Sequence, residues 1–151
     1  MIAKWGWLLQ GIILEDQHDL SGAIGKYQEA IRVDPDWAYA YNDWGNALGD
    51  KSDYDAAIVQ YRQAIRLDHK YTDAYDGWGS ALLMKTDYDG AVAQYRQAIK
   101  IDPKDALAYA FWGQALLMKK DYEGAVTQYR RELKSIPRKR WPMPFGERSC
   151  Y

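Results

Sequence analysis

The two histidines and the single cysteine are the side chains of this 151-residue sequence best suited to metal binding or nucleophilic catalysis. Neither His18, in a predicted turn, nor His69, at a predicted helix end, has a cysteine or a second histidine at metal-ligand spacing. Cys150 has no local partner that would favour its thiolate, and the sequence contains no glycine-rich phosphate loop. The sequence therefore predicts a protein that is not an enzyme and that needs neither a metal nor a cofactor.

The aspartates are numerous, but helix capping explains most of them. Asp19, Asp53, Asp87 and Asp121 each stand immediately before a predicted helix. An aspartate at that place accepts hydrogen bonds from backbone N–H groups that have no partner inside the helix. These four aspartates are therefore explained as helix caps, and each one marks the start of a helix.

The sequence is a tandem repeat. Trp44, Trp78 and Trp112 recur at steps of 34 residues, and the stretch YDGAVAQYRQAIKIDP at 88–103 has near copies at 54–69 and 122–137. A fourth, more divergent copy lies upstream, where five residues fall in phase: Gly11, Ala23, Tyr27, Ala30 and Pro35. A long fixed period of this kind is typical of stacked repeat architectures.

Each unit is predicted to form two helices. The first helix of the third unit has one apolar face at spacings of three and four, made by Tyr75, Trp78, Gly79 and Leu82. After a break, Ala91, Tyr95 and Ala98 mark the stripe of a second helix, which Pro103 ends. Two short helices cannot bury their stripes alone, so the units must stack. We expect the equivalent glycines Gly45, Gly79 and Gly113 to lie at helix contacts, and Trp78 to be largely buried.

This pattern resembles the tetratricopeptide repeat. The family's small and large positions are matched by Gly45, Ala57, Tyr61 and Ala64, by Gly79, Ala91, Tyr95 and Ala98, and by Gly113, Ala125 and Tyr129. The closing proline is present at Pro35, Pro103 and Pro137, whereas His69 replaces it in the second unit. The resemblance implies an all-α, right-handed α-solenoid of four stacked helix-turn-helix repeats, at 4–37, 38–71, 72–105 and 106–139.

Both ends of the predicted repeat domain, residues 1–137, leave alternatives open. The usual C-terminal capping helix of the family is not expected, because three prolines interrupt the residues that follow the last repeat. Glu132 stands where an alanine is expected, so either the array ends there or a partner subunit caps it. The excess of apolar residues on the first helix means that this helix meets another surface or that further residues precede it.

The resemblance implies a concave surface, lined by the first helix of each pair, that binds a peptide or protein segment. The positions expected to form this row are Trp5, Leu8, Ile12, Tyr39, Asn42, Asn46, Asp73, Asp76, Ser80, Leu83, Leu107 and Gln114. The basic residues with which some members of the family hold a C-terminal carboxylate are missing, and the aspartates favour a basic or neutral segment instead. The predicted function is that of an adaptor; the alternative is a scaffold that associates with further copies and forms a homo-oligomer.

The C-terminal tail, residues 138–151, is basic and rich in proline and aromatic residues. Arg138, Arg140 and Trp141 are candidates for a contact with the repeat domain, which carries a net charge of −4 without the tail. The tail could lie in the groove of a neighbouring copy, fold back on its own chain, or remain a loose end.

The overall composition limits which partners the protein is expected to bind and where in the cell it is expected to act. The net charge of −1 predicts no attraction to nucleic acid, and no apolar run reaches the length that spans a membrane. The apolar N-terminal stretch lacks a signal-peptide cleavage site and ends at Glu15 and Asp16. One cysteine cannot form an internal disulfide, and we expect a cytoplasmic protein.

Overall fold

The computed structural model describes residues 2–136, and this part of the chain forms eight α-helices and no β-strand. The helices are α1 (Ile2–Asp16), α2 (Leu20–Val33), α3 (Ala38–Asp50), α4 (Tyr54–Leu67), α5 (Thr72–Met84), α6 (Tyr88–Ile101), α7 (Ala106–Met118) and α8 (Tyr122–Ser135). The all-α solenoid of paired helices is therefore confirmed. The tail residues Arg138, Arg140 and Trp141 lie outside the described residues. The residues that would form a capping helix after α8 lie outside them as well.

Three residues separate the two helices of each pair, and the middle one has a left-handed backbone conformation. His18, Ser52, Thr86 and Lys120 have φ angles of 63–64°, and the next residue in each case is the N-cap aspartate of the second helix. In the second pair, Asp53 donates its backbone N–H to the Leu48 carbonyl, and its side chain accepts from the N–H of Ala56 at 3.2 Å. The same residues thus end one helix and begin the next.

The second helix of each pair ends in an extended residue. Asp34, Asp68 and Asp102 have β-region φ and ψ angles, and Pro35 and Pro103 follow the first and third of them. A residue before proline avoids the helical region. His69 follows Asp68 without changing this geometry, so the missing proline of the second repeat does not alter the connection.

The glycines of the first helices lie against tyrosine rings of the second helices, as the sequence predicts. A Cβ atom built on Gly45 would lie 2.7 Å from Cε1 of Tyr61, and one built on Gly79 would lie 2.5 Å from Cε1 of Tyr95. Gly11 and Tyr27, and Gly113 and Tyr129, repeat the contact. Because the ring occupies the space of a side chain, each pair of helices can pack closely only with glycine at this position.

The pairs stack in chain order, and alanines fill the contacts between them. Each second helix packs against the first helix of the following pair, where Ala47, Ala81 and Ala115 are buried. Trp78 is more than half buried and packs against a core cluster, as expected, and Arg62 lies over its ring with 5.8 Å between Cζ and the ring centroid. A ring this large covers the seam between two pairs and keeps one edge in solvent.

We predict that Gly79→Ala lowers the free energy of unfolding by about 1–3 kcal/mol, because the fully buried Tyr95 ring cannot move aside. The matched control is Gly25→Ala in α2, where a Cβ atom meets nothing within 4 Å. This control should raise stability by about 0.5–1 kcal/mol, since alanine favours a helix more than glycine does. Urea unfolding followed by circular dichroism measures both, and equal effects would show that the glycine–tyrosine contact is unimportant.

Candidate binding groove

The first helices form the inner surface of the array. Helices α1 and α3, α3 and α5, and α5 and α7 contact each other, whereas the second helices of neighbouring pairs have no Cα atoms within 8 Å of each other in residues 2–136. An array whose first helices are closer together than its second helices curves toward the first helices. We call the resulting concave surface the groove.

Most of the residues predicted for this surface are accessible. Exposed side chains are those of Trp5, Ile12, Tyr39, Asn46, Asp73, Leu107 and Gln114, and partly buried ones are those of Asp76, Ser80 and Leu83. Leu8 does not have the exposure expected of it: its side chain is 7% exposed and belongs to a core cluster with Tyr27 and Trp37. Asn42, one period later, is 4% exposed but still lines the groove. Leu8 and Asn42 occupy equivalent positions of α1 and α3, and both side chains point toward the core of their own repeat.

A pocket of about 650 Å³ opens in the centre of the groove, between the second and third repeats. It is lined by Asn42, Asp43, Asn46, Gly49, Asp50, Tyr54, Tyr61, Tyr71, Asp73, Asp76, Gly77, Ser80, Ala81, Met84 and Phe111. Five of the positions predicted from the sequence thus meet in one pocket: Asn42, Asn46, Asp73, Asp76 and Ser80. Sequence reasoning missed Asp43, Asp50, Tyr71 and Phe111, which lie off the predicted row.

At the pocket, Gly77 stands where the neighbouring repeats have Asp43 and Phe111. Gly77 packs so closely on Tyr61 that a Cβ atom there would lie 2.5 Å from the ring. One period later, Phe111 stands at the equivalent position and stacks on Tyr95, with 5.8 Å between the ring centroids. Comparison of equivalent positions would have been the signal in the sequence, because Gly77 carries no side chain where Asp43 and Phe111 carry one.

The hydroxyl groups of the core tyrosines reach the groove. Tyr61 donates its hydroxyl to Oδ1 of Asn46 at 2.9 Å, and the hydroxyls of Tyr95 and Ser80 lie 3.3 Å apart. In the first repeat, Tyr27 donates to the Glu15 carboxylate. These bonds fix polar side chains of the first helices from below, so their positions are set by the core.

The pocket is acidic, and its carboxyl groups are partly buried. Burial raises the pKa of Asp76 to about 8, and the Asp105 and Asp73 carboxylates add to the shift. Burial also raises the pKa of Asp43, with Asp73 adding to the effect and a hydrogen bond from Asn42 opposing it. Each of these groups holds its proton more tightly because a charged carboxylate loses hydration and meets like charges there.

The N-terminal end of the groove is aromatic. The ring of Trp5 meets that of Trp37 edge to face, with 4.7 Å between the ring centroids. The ring centroids of Tyr39 and Tyr71 lie 4.8 Å apart. Trp5 and Tyr39 remain more than half exposed. The groove therefore changes along its length from an aromatic surface to an acidic pocket.

Residues 2–136 contain no group of three or more histidine, cysteine, aspartate or glutamate side chains arranged to hold a metal ion. None of the eight described helices has both the length and the apolar character that crossing a bilayer requires. That the protein is not an enzyme and that it is cytoplasmic stay predictions.

The comparisons with known proteins agree with this architecture. The family profile described as TPR repeat matches residues 45–85 and 79–119. A crystal structure of MamA is similar with a TM-score of 0.79 and 27% sequence identity, over 87% of this chain and 77% of that chain. The Arabidopsis OM64 TPR domain (TM-score 0.71, 23% identity, 76% of this chain and 95% of that one) and a second crystal structure of MamA protein (0.62, 23%, 88% and 91%) share the fold. No protein of curated function matches the sequence.

We predict that the protein loses stability as the pH rises from about 4 to about 8. Asp76 has a folded-state pKa of about 8, above its ordinary value, so folding favours the protonated acid and weakens as the acid ionises. Asp76→Asn, which imitates the protonated form, should raise the melting temperature at pH 8 by about 2–4 °C. The gain should disappear near pH 4, and Glu123→Gln, an exposed residue on α8, should not reproduce it. Melting curves at both pH values, measured by circular dichroism, provide the test.

Proposed function

This chain is a tetratricopeptide repeat protein, and we propose that it works as an adaptor whose groove binds a segment of another protein. The proposal depends chiefly on the central pocket, which lies on the inner surface and combines apolar walls with unpaired polar groups. A concave site with apolar walls and a few polar groups in fixed places is typical of ligand-binding surfaces.

The groove offers two kinds of contact to an extended segment. The exposed rings of Trp5 and Tyr39, with the side chain of Leu107, provide apolar area that water solvates poorly. Asn46 is exposed while Tyr61 holds its Oδ1 atom in place, so its amide is positioned to pair with the backbone of a ligand. Apolar anchors and a positioned amide together favour a peptide over a small polar metabolite.

The charge of the groove favours a basic or neutral segment. Asp43, Asp50, Asp73 and Asp76 line the central pocket, and its lining within residues 2–136 contains no lysine, arginine or histidine. An acidic segment would meet like charges and would have to protonate further carboxylates before it could bind.

Site-specific crosslinking tests the adaptor proposal. We expect a photo-reactive amino acid at Gln114, exposed in the groove, to crosslink to another protein in cells. The matched control is the same group at Gln97, which is exposed on the second helix α6 and not on a first helix that forms the groove, and which should give little product. Products of equal yield from both positions would contradict groove binding. The mass of the Gln114 product also decides between a foreign protein and a second copy of this chain.

Self-association is the second candidate, and apolar residues at both ends of the described array favour it. On α8, Tyr122, Val126 and Leu133 are exposed, whereas Ile58 and Ile65, equivalents of the last two in α4, pack against core clusters. On α1, Ile13 is exposed at the position where the later repeats bury Ala47, Ala81 and Ala115. The face of α8 could therefore cover α1 of another copy and repeat the contact that joins neighbouring pairs, giving an open, head-to-tail assembly.

If copies associate in this way, Val126→Asp should reduce the average mass measured by light scattering, because a buried charge at the contact opposes association. Val59→Asp places the same charge on α4 at an exposed valine in the middle of the array and should leave the mass unchanged. A wild-type protein that remains a monomer over the whole concentration range would exclude self-association and leave the adaptor role.

A further inference from the structure

Two oxygen atoms at the central pocket are buried without a hydrogen-bond donor. Asn42 is 4% exposed; its Nδ2 donates to Asp43 at 3.3 Å, while its Oδ1 has no partner within the described residues. Oδ1 of Asp76 is also buried without a donor there. Buried polar atoms are normally paired, so the unpaired Asn42 Oδ1 indicates a missing group that carries a hydrogen-bond donor, whereas Asp76 has a partner in Asp105 only while it holds a proton.

The charges around the pocket define that group further. Carboxylates enter from three elements: Asp43 and Asp50 from α3, Asp73 from α5, and Asp105, the N-cap of α7, which faces Asp76. The other titratable groups nearby are the hydroxyls of Tyr54 and Tyr61 on α4, of Tyr71 before α5, and of Tyr95 on α6. All of these groups are neutral or negative, so a donor group with a positive charge fits better than a neutral amide.

We infer that the central pocket receives one basic side chain, a lysine or an arginine, of the segment that binds in the groove. This inference rests on the proposed adaptor function and names the anchor that such a segment must carry. The ammonium or guanidinium group pairs with the carboxylates of the pocket, where Asn42 and Asp76 can turn their buried Oδ1 atoms toward it, and the apolar stem of the side chain lies against Met84 and Phe111 at the pocket wall. The volume of about 650 Å³ exceeds that of one side chain, so part of the neighbouring backbone fits as well.

Binding of a cation at this place is coupled to the loss of a proton. Asp76 and Asp105 can hydrogen-bond to each other only while one of them holds a proton, and like charge and burial keep that proton on Asp76 up to about pH 8, the pKa of this group. A cation stabilises the ionised carboxylate and displaces the proton into solvent. Affinity should therefore rise with pH, by up to about tenfold per pH unit below about pH 8.

Peptides that differ only in charge test the anchor on the full chain. The probes are acetylated, amidated Ala-Ala-Arg-Ala-Ala and its twin with citrulline, which has the shape of arginine without the charge. Amide chemical shifts of Gly49 and Gly77, both in the pocket lining, report occupancy of the pocket in 15N-labelled protein. We expect the arginine peptide to move both signals at millimolar concentration, more strongly at pH 8 than at pH 6, and the citrulline peptide to leave them unchanged.

Two variants of equal charge separate the pocket from the general acidity of the protein. Asp76→Asn should lower the affinity for the arginine peptide by about tenfold or more, since a charge-assisted hydrogen bond is lost. It should also remove the dependence of this affinity on pH. Glu123→Gln, exposed on α8 and outside the pocket lining, should change neither. Equal losses in the two variants would overturn the anchor in favour of non-specific attraction.

The remaining outcomes distinguish this inference from the adaptor proposal. Equal shifts with the arginine and citrulline peptides would overturn the basic anchor while leaving a groove that binds neutral segments. No shift at Gly49 and Gly77 with either peptide would also overturn the anchor, and crosslinking from Gln114 would then decide separately whether the groove binds protein at all.

Discussion

The contact between a glycine of one helix and a tyrosine ring of the next is the constraint on which the rest of the array depends. It sets the separation of the two helices in every pair, because Tyr27, Tyr61 and Tyr95 occupy space that a side chain at Gly11, Gly45 or Gly79 would need. It also orients the ring so that its hydroxyl emerges in the groove. One packing contact therefore holds the pair together and places the polar groups of the binding surface.

Specificity in such an array has to come from positions where the repeats differ. The glycine–tyrosine contact and the aspartate caps recur in all four pairs, so they describe the fold and say little about a ligand. Gly77 departs from its equivalents Asp43 and Phe111, and the central pocket of the groove lies beside it. The acidic residues gather in the same place, which gives the second and third repeats a chemistry that the fourth lacks.

The sequence predicts the helices well because their signals are local. Each second helix has an aspartate cap and an alanine and tyrosine stripe, and the 34-residue period repeats those signals four times. The groove is predicted less completely. Helical spacing places Leu8 and Asn42 on the row with their neighbours, but both side chains are buried in the structure, and the pairing of Asp76 with Asp105 joins residues on different helices. Such contacts depend on how the pairs stack, which no single helix encodes.

The contacts in this array all join elements that are adjacent or next but one along the chain. The cooperative unit is thus a pair with its neighbours, and local opening costs least at the two ends and most in the middle. The central pocket lies at the junction of the second and third pairs, where opening is rarest. A ligand there would meet a site that is already rigid. By bridging α3, α5 and α7, it would slow backbone hydrogen exchange in several pairs at once, including residues that it does not touch.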